Sequence, residues 1–227
     1  MTRGQRLKAL GVTVACTGVA IAGMLLNSPR GKADDRGDDS ESRIEQGFEI
    51  APVPLNLEGK NRALVGLGSY IVNGQGDCNA CHSAGPSTEF APGGNPFSNQ
   101  PEKINPATYL GGGRDFPFPS PTSPLHIISR NLTPDKTGLP EGGRTFEEFL
   151  TIMRTGKDLD HLHPTCTGMP NSSCVPPPFD GDLLQVMRWP NFLNMTDHDL
   201  RAIYEYLGAI PCIEGPPAPN PRHNDCH

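Results

Sequence analysis

Glycine and proline set the first limit on what this chain can fold into. The 227 residues include 26 glycines and 25 prolines, whereas only 35% are hydrophobic and 6% are aromatic. Both residue types interrupt helices and strands, and so few apolar side chains build only a modest core. This composition argues against a membrane protein with several apolar spans and against a large parallel-sheet enzyme with long Val/Ile/Leu strands. A core of this size usually needs a metal, a cofactor or disulfides to support it.

The residues Cys78-Asn79-Ala80-Cys81-His82 form the pattern C-x-x-C-H, which is the attachment site of c-type haem. At this spacing two thiols can reach the two vinyl groups on one haem edge, and the next histidine can bind the iron as the proximal ligand. A zinc ribbon would need a second Cys/His pair at short spacing, and a redox C-x-x-C would be expected near a βαβ pattern. Neither pattern is present, so we predict one covalent haem c held by Cys78 and Cys81, with His82 on its iron.

The N-terminal region has the order of an export signal. Arg3, Arg6 and Lys8 precede residues 9–26, which carry no charge and are mostly apolar. That stretch is also just long enough to span a bilayer, which takes about 17–25 residues. We therefore expect residues 1–30 to be a signal peptide or an N-terminal membrane anchor. The protein would then be periplasmic, either soluble or tethered to the inner membrane.

The distribution of charged residues distinguishes a linker from the rest of the chain. Residues 31–47 are rich in aspartate and glutamate, and we expect them to form an acidic flexible linker. The net charge of −6 disfavours nucleic-acid binding and favours neutral or basic partners. No Ser/His/Asp set, phosphate-binding loop or dinucleotide fingerprint is present. We therefore assign no catalytic residues.

Two helices are predicted on either side of the C-x-x-C-H motif. Residues 61–73 carry a helical stripe of apolar side chains, and Gly74 and Gly76 end it. Thr196 has the character of an N-cap for a second helix, which Gly208 and Pro211 stop. The small residues Gly66 and Gly68 would let this last helix cross the first one closely. The apolar positions are Leu64, Leu67 and Ile71 in the first helix and Leu200, Ile203, Tyr204 and Leu207 in the second.

With these elements the chain resembles class I c-type cytochromes, in particular bacterial single-haem cytochromes c and the cytochrome subunits of periplasmic dehydrogenases. Residues 131–135, N-L-T-P-D, resemble a haem-side loop of that family, and residues 145–155 resemble its helix, which ends in R-T-G at 154–156. Residues 184–207 resemble its segment from the ligand methionine to the last helix. The resemblance implies an all-α class I cytochrome c fold, with few helices around one covalent haem and long Gly/Pro-rich loops. The cytochrome c domain would span 48–215 and be followed by a Pro-rich tail, 216–227.

The same resemblance places the distal iron ligand at Met187, although Arg188 stands where the family usually has proline. Met195 and His163 are the alternative ligands. Met153 falls on an apolar helical stripe typical of core packing, and Met169 falls in a Pro/Ser-rich insertion typical of a surface loop.

Four cysteines remain outside the motif and the N-terminal segment. Export favours disulfides, and local pairing of Cys166 with Cys174 and of Cys212 with Cys226 is the simplest of three connectivities. The second bridge would pin the Pro-rich tail. Free or metal-binding thiols are the alternative.

The predicted function is that of a single-haem cytochrome that transfers one electron between periplasmic redox partners, a dehydrogenase or a terminal oxidase chain. An alternative is the electron-accepting cytochrome subunit of a dehydrogenase complex. A third is a haem enzyme or gas-binding protein with a labile sixth ligand. The Gly/Pro-rich loop over residues 82–129 would then wrap the haem edges or dock a partner.

Overall fold

A computed structural model describes residues 35–218, 220 and 222–227 of the chain, with side chains from Ser40 onward. The expected signal peptide or anchor, residues 1–30, lies outside the described residues. In chain order the main helices are α1 (Asp35–Ile50), α2 (Arg62–Ser69), α3 (Cys78–His82), α4 (Pro86–Glu89), α5 (Pro140–Gly143), α6 (Phe146–Thr155) and α7 (Asp197–Leu207). Two short strands pair as an antiparallel hairpin, β1 (Asp115–Pro117) and β2 (His126–Ile128). Long irregular loops connect these elements, as the glycine and proline content predicts.

Helices α2 and α7 cross at the centre of the fold. Asn61 caps α2 by accepting hydrogen bonds from two backbone amides, and Thr196 caps α7 in the same way from one. At the crossing, Gly68 of α2 lies so close to α7 that a Cβ atom there would stand 1.9 Å from the carbonyl oxygen of Ala202. The predicted helix over 61–73 is therefore present, but it continues beyond Ser69 as a π-helix over Tyr70–Gln75.

Helix α1 occupies most of the segment for which we predicted a flexible linker, residues 31–47. It packs across α2, because Ile44 and Phe48 lie against Gly66 and a Cβ on Gly47 would stand 1.9 Å from the Gly66 carbonyl oxygen. The buried Ser69 hydroxyl also donates a 2.6 Å hydrogen bond to the carbonyl oxygen of Gly47. The acidic composition of α1 gave no indication that one of its sides is lined by small and apolar residues. These residues pack against α2, which lies beside them only in the folded chain.

The β1–β2 hairpin is a small departure from the expected all-α architecture. Asp115 pairs with Ile128, Phe116 with Ile127 and Pro117 with His126. The hairpin belongs to the long loop after the motif and turns Phe116, Ile127 and Ile128 toward the main cavity described below. The loop thus has a defined structural role beside the motif.

Both local disulfides are formed. Cys166 is bonded to Cys174 and Cys212 to Cys226, which confirms the local pairing over the other connectivities. The second bridge ties the tail back to the end of α7. Among the residues that the structure describes, no helix combines the length and the apolarity required to cross a membrane.

Candidate haem site

A cavity of about 230 Å³, the main cavity, lies between the motif, the hairpin and helices α6 and α7. Its walls are predominantly apolar, with Phe149 and Ile152 from α6 and Ile203 and Leu207 from α7. All three functional side chains of the C-x-x-C-H motif line it. The cavity therefore offers an apolar environment next to two thiols and an imidazole.

Cys78 and Cys81 both belong to the short helix α3. Burial raises the pKa of the Cys78 thiol to about 12, with the nearby charges of Asp77 and Cys81 adding to the effect. Cys81 is exposed, so one thiol faces the interior and the other lies at the cavity rim. The other four described cysteines are all in disulfides, which leaves this motif no second pair of thiols for a zinc ribbon.

His82 is held in one orientation by a backbone carbonyl group. Its Nδ1 atom lies 2.9 Å from the carbonyl oxygen of Arg130. A carbonyl oxygen can only accept, so Nδ1 carries the hydrogen and Nε2 keeps its lone pair, which is the tautomer that binds a metal. Burial lowers the pKa of His82, which keeps the imidazole neutral at neutral pH. His82 is thus prepared to donate Nε2 to an iron atom.

Two of the three candidate distal ligands line the same cavity as His82. Met187 and His163 are both in its wall, and Met195 is not among the lining residues but packs against the core. The Nδ1 atom of His163 is buried and has no hydrogen-bond partner among the described residues. Met153 also reaches the cavity wall and is buried in the core, as its helical stripe predicts.

Residues 183–188, the distal segment, carry Met187 and are attached to the end of α6. The amide of Leu184 donates a 2.7 Å hydrogen bond to the carbonyl oxygen of Gly156, the C-cap of α6. The indole of Trp189 donates to the carbonyl oxygen of Leu184 at 3.2 Å. Gly156 has a φ of 70°, and a Cβ there would lie 2.2 Å from the Trp189 ring. The C-terminal end of α6 therefore holds the chain at Leu184 and Trp189, on either side of Met187.

A charged cluster that we did not predict from the sequence stands at one wall of the main cavity. Arg130, whose side chain is 17% exposed, pairs with Asp158 at 2.5 Å and also with Asp160. Arg144 pairs with Asp160 as well. Arg130 and Asp158 line the main cavity. The only sequence signal for this cluster was the arginine directly before N-L-T-P-D. Its partners, Asp158 and Asp160, come after helix α6 in the chain.

The N-L-T-P-D loop joins the cavity to the C-terminal tail. The Asn131 side chain accepts from the amide of Thr133 at 3.0 Å and donates to the carbonyl oxygen of Ile213 at 2.7 Å. Asn224 of the tail donates to the carbonyl oxygens of Thr133 and Pro134. These hydrogen bonds therefore hold the tail against the N-L-T-P-D loop.

A buried hydroxyl network lies beside Cys78. Tyr109 and Tyr206 are almost fully buried, and their hydroxyl oxygens are 2.8 Å apart. Asn73 of the π-helix donates to the Tyr206 hydroxyl at 3.1 Å and accepts from Tyr109. The network connects the π-helix, α7 and the loop at Tyr109.

These residues fit a covalently bound haem. The main cavity is apolar, two thiols stand at one side of it, and a neutral imidazole with a free Nε2 lines it together with a thioether sulfur. Its orphaned polar atom, Nδ1 of His163, would find a partner in a ligand that carries polar groups. An imidazole together with a thioether or a second imidazole is a donor set that can hold the iron of a c-type haem.

The chain resembles cytochrome subunits of known dehydrogenases. It is 30% identical over 150 residues to the gluconate 2-dehydrogenase cytochrome c subunit of Pantoea cypripedii, covering 65% of this chain and 23% of that protein. It is also 30% identical over 148 residues to the cytochrome c subunits of the quinone-type alcohol dehydrogenases of Gluconacetobacter polyoxogenes and Komagataeibacter europaeus, covering 64% of this chain and 21% of each relative.

The chain thus spans less than a quarter of the length of these curated relatives. No family model matches it, and no solved structure matches it. Together, the motif, the cavity it lines and the relatives support a cytochrome c that carries electrons.

Proposed function

We propose that this chain is a c-type cytochrome that carries one covalent haem and accepts single electrons from the catalytic subunit of a dehydrogenase. The observation that carries the proposal is that Cys78, Cys81 and His82 line an apolar cavity together with Met187. The crossing of α2 and α7 on one side of this cavity supports the class I cytochrome c fold. The dehydrogenase partner is favoured by the relatives, which are named as cytochrome subunits of dehydrogenases.

In this proposal each side chain has one task. Cys78 and Cys81 hold the haem through thioether bonds, His82 binds the iron through Nε2, and Met187 binds it through its sulfur. The bound haem supplies a reversible one-electron couple. The apolar walls exclude water from the iron, and the Arg130 carbonyl group keeps the His82 ring in its ligating orientation.

The cellular location proposed is the periplasm. Covalent haem attachment takes place outside the cytoplasm, and the two disulfides are stable in an oxidising compartment. The acidic balance of the chain suits a neutral or basic partner surface.

Haem attachment is tested by expression in a host that matures c-type cytochromes. The purified protein should contain one haem that survives denaturation, by intact mass and by haem staining of a gel. The Cys78→Ser/Cys81→Ser double variant should lose it, because no thioether can form. The matched control is Cys166→Ser/Cys174→Ser, which removes a disulfide outside the motif and should keep the haem. Covalent haem in the first variant, or none in the wild type, would contradict the proposal.

The distal ligand is tested by spectroscopy of single alanine variants. Met187→Ala should lose the weak long-wavelength band that thioether ligation gives to the oxidised iron, and its reduced form should bind carbon monoxide. His163→Ala and Met195→Ala should keep the band. Loss of the band in either control instead, or carbon monoxide binding by the wild type, would reject Met187 as a stable ligand.

The dehydrogenase partner is tested in membranes of the native host. Gluconate or an alcohol, the substrates in the names of the relatives, should reduce the haem of this chain, and deletion of the chain should slow electron transfer from that substrate to the respiratory chain. Oxidised haem that persists with both substrates, while a chemical reductant reduces it, would argue against these two dehydrogenase classes.

A further inference from the structure

Glu141 lies in the wall between two cavities. It lines the main cavity and also a second, polar pocket of about 30 Å³, the side pocket. The side pocket is bounded by Asp160, His223 and Asn224, among others. A space of this size holds a water molecule, which needs about 10–15 Å³ and two to four polar partners. The Glu141 side chain therefore stands between a polar pocket large enough for a water molecule and the proposed haem cavity.

The backbone at Glu141 is held in an unusual conformation. Its φ and ψ are 51° and 46°, in the left-handed region, and Gly142 follows with a φ of 69°. A non-glycine residue adopts this conformation at a cost, and it persists only where the surroundings enforce it. Here the amide of Glu141 donates to the carbonyl oxygen of Leu132 at 3.3 Å, which attaches the turn to the N-L-T-P-D loop.

The two arginines near Glu141 form ion pairs with other carboxylates. Arg130 pairs with Asp158 and Asp160, and Arg144 pairs with Asp160 and Glu148. Among the described residues none forms a hydrogen bond or ion pair with the Glu141 carboxyl group. Burial raises the pKa of Glu141, and the negative charges of Asp158 and Glu148 raise it further against the opposing effect of the two arginines.

Seven charged or titratable side chains are grouped around Glu141, in the two cavities that it lines and at the α5–α6 junction. On the main-cavity side they are Arg130, Asp158 and His163, and on the side-pocket side they are Asp160 and His223. Arg144 and Glu148 complete the set through the α5–α6 junction. The other carboxylates of this set have arginine partners, so Glu141 is the one carboxyl group in it that is free to take a proton.

Asn224 supplies independent evidence for a water molecule in the side pocket. It is 1% exposed, and its Nδ2 atom donates to Thr133 and Pro134, which fixes the amide orientation. Its Oδ1 atom is buried and has no partner among the described residues, and it lies 3.3 Å from the position of a Cβ on Gly142. A water molecule that donates to Oδ1 would satisfy it and would stand next to the Glu141 turn. His223, which is half-exposed, forms the solvent side of the pocket.

We propose that Glu141 is a proton acceptor that couples proton uptake to electron arrival, with the side pocket as its route to solvent. One electron enters the main cavity from the redox partner, and one proton passes from solvent through the pocket water to the Glu141 carboxylate. On oxidation both leave, so the net charge of the cavity stays constant. The reason is electrostatic: an added negative charge in an apolar cavity increases the proton affinity of a nearby carboxylate. This inference rests on the proposed function.

The test is the reduction potential of the haem-loaded protein as a function of pH. The wild-type potential should fall with rising pH, by up to about 59 mV per tenfold change in proton concentration. The Glu141→Gln variant should show no such slope and should keep the potential that the wild type has when Glu141 is protonated. The matched control is Glu147→Gln on the exposed side of α6, which should keep the wild-type slope.

A second measurement needs no variant. The infrared difference spectrum of the wild type, reduced minus oxidised, should show a protonated carboxyl band that shifts in heavy water. A reversible couple whose potential is independent of pH would overturn the coupling and leave the proposed function standing. A slope that persists in Glu141→Gln would assign the proton to another group and would also overturn it. Absence of a reversible couple in the wild type would reject the proposed function together with this inference.

Discussion

The α2–α7 crossing predicts that Gly68→Ala destabilises the whole protein. An ideal Cβ on Gly68 would lie 1.9 Å from the carbonyl oxygen of Ala202 and 2.7 Å from the Cβ of Tyr206. Both neighbours are fixed parts of α7, and both residues are fully buried. The added methyl group can be accommodated only if α7 moves away from α2 by more than about 1 Å, which opens the close-packed core on that side of the main cavity.

The magnitude follows from two opposing contributions. Overpacking of a core costs about 1–3 kcal/mol and occasionally more, and here the overlap is with backbone and cannot be relieved by a rotamer change. Alanine gains up to about 1 kcal/mol over glycine in helix propensity. We expect a net loss of roughly 2 kcal/mol or more, which corresponds to a Tm lower by about 4–8 °C for a protein of this size.

The assay is thermal unfolding of the haem-loaded protein, followed by circular dichroism and by the haem absorption. The control is Gly168→Ala, since Gly168 is exposed and no atom lies within 4 Å of its Cβ position. That variant should stay within about 0.5 kcal/mol of the wild type. A Gly68→Ala protein that unfolds at the wild-type temperature would refute the close crossing.

Three further changes test the surroundings of the site. Gly156→Ala places a methyl group against the Trp189 ring at a positive φ, so it should displace the distal segment and let the reduced protein bind carbon monoxide; an unchanged thioether band would contradict this. Tyr206→Phe removes one hydroxyl from the buried network and should lower the free energy of unfolding by about 1 kcal/mol in a denaturant titration, whereas an unchanged midpoint would show that the network adds no stability. Cys212→Ser/Cys226→Ser opens a bridge of sequence separation 14 and should cost on the order of 3 kcal/mol; equal stability of the variant and the wild type would count against a stabilising bridge.

Local spacing predicted much of this protein. The C-x-x-C-H pattern places two thiols and a histidine on one short helix, because their separation along the chain is also their separation in space. The helical stripes and the cap at Thr196 predicted α2 and α7, and nearby cysteines predicted both disulfides. The assignment of Met187 as distal ligand came from a family resemblance, and the structure places it in the main cavity while the assignment stays a prediction.

Contacts between distant parts of the chain were decided only by the tertiary structure. The acidic composition of α1 predicted a linker. The contacts of Gly47 and its neighbours with α2, which exist only in the folded chain, make α1 a packed helix instead. The carbonyl group that orients His82 belongs to Arg130, 48 residues away, and the position of Glu141 between two cavities depends on the loop, the turn and the tail together. A sequence records which groups are present and their local spacing, whereas burial and hydrogen-bond partners at long range depend on how the whole chain closes around the cavity.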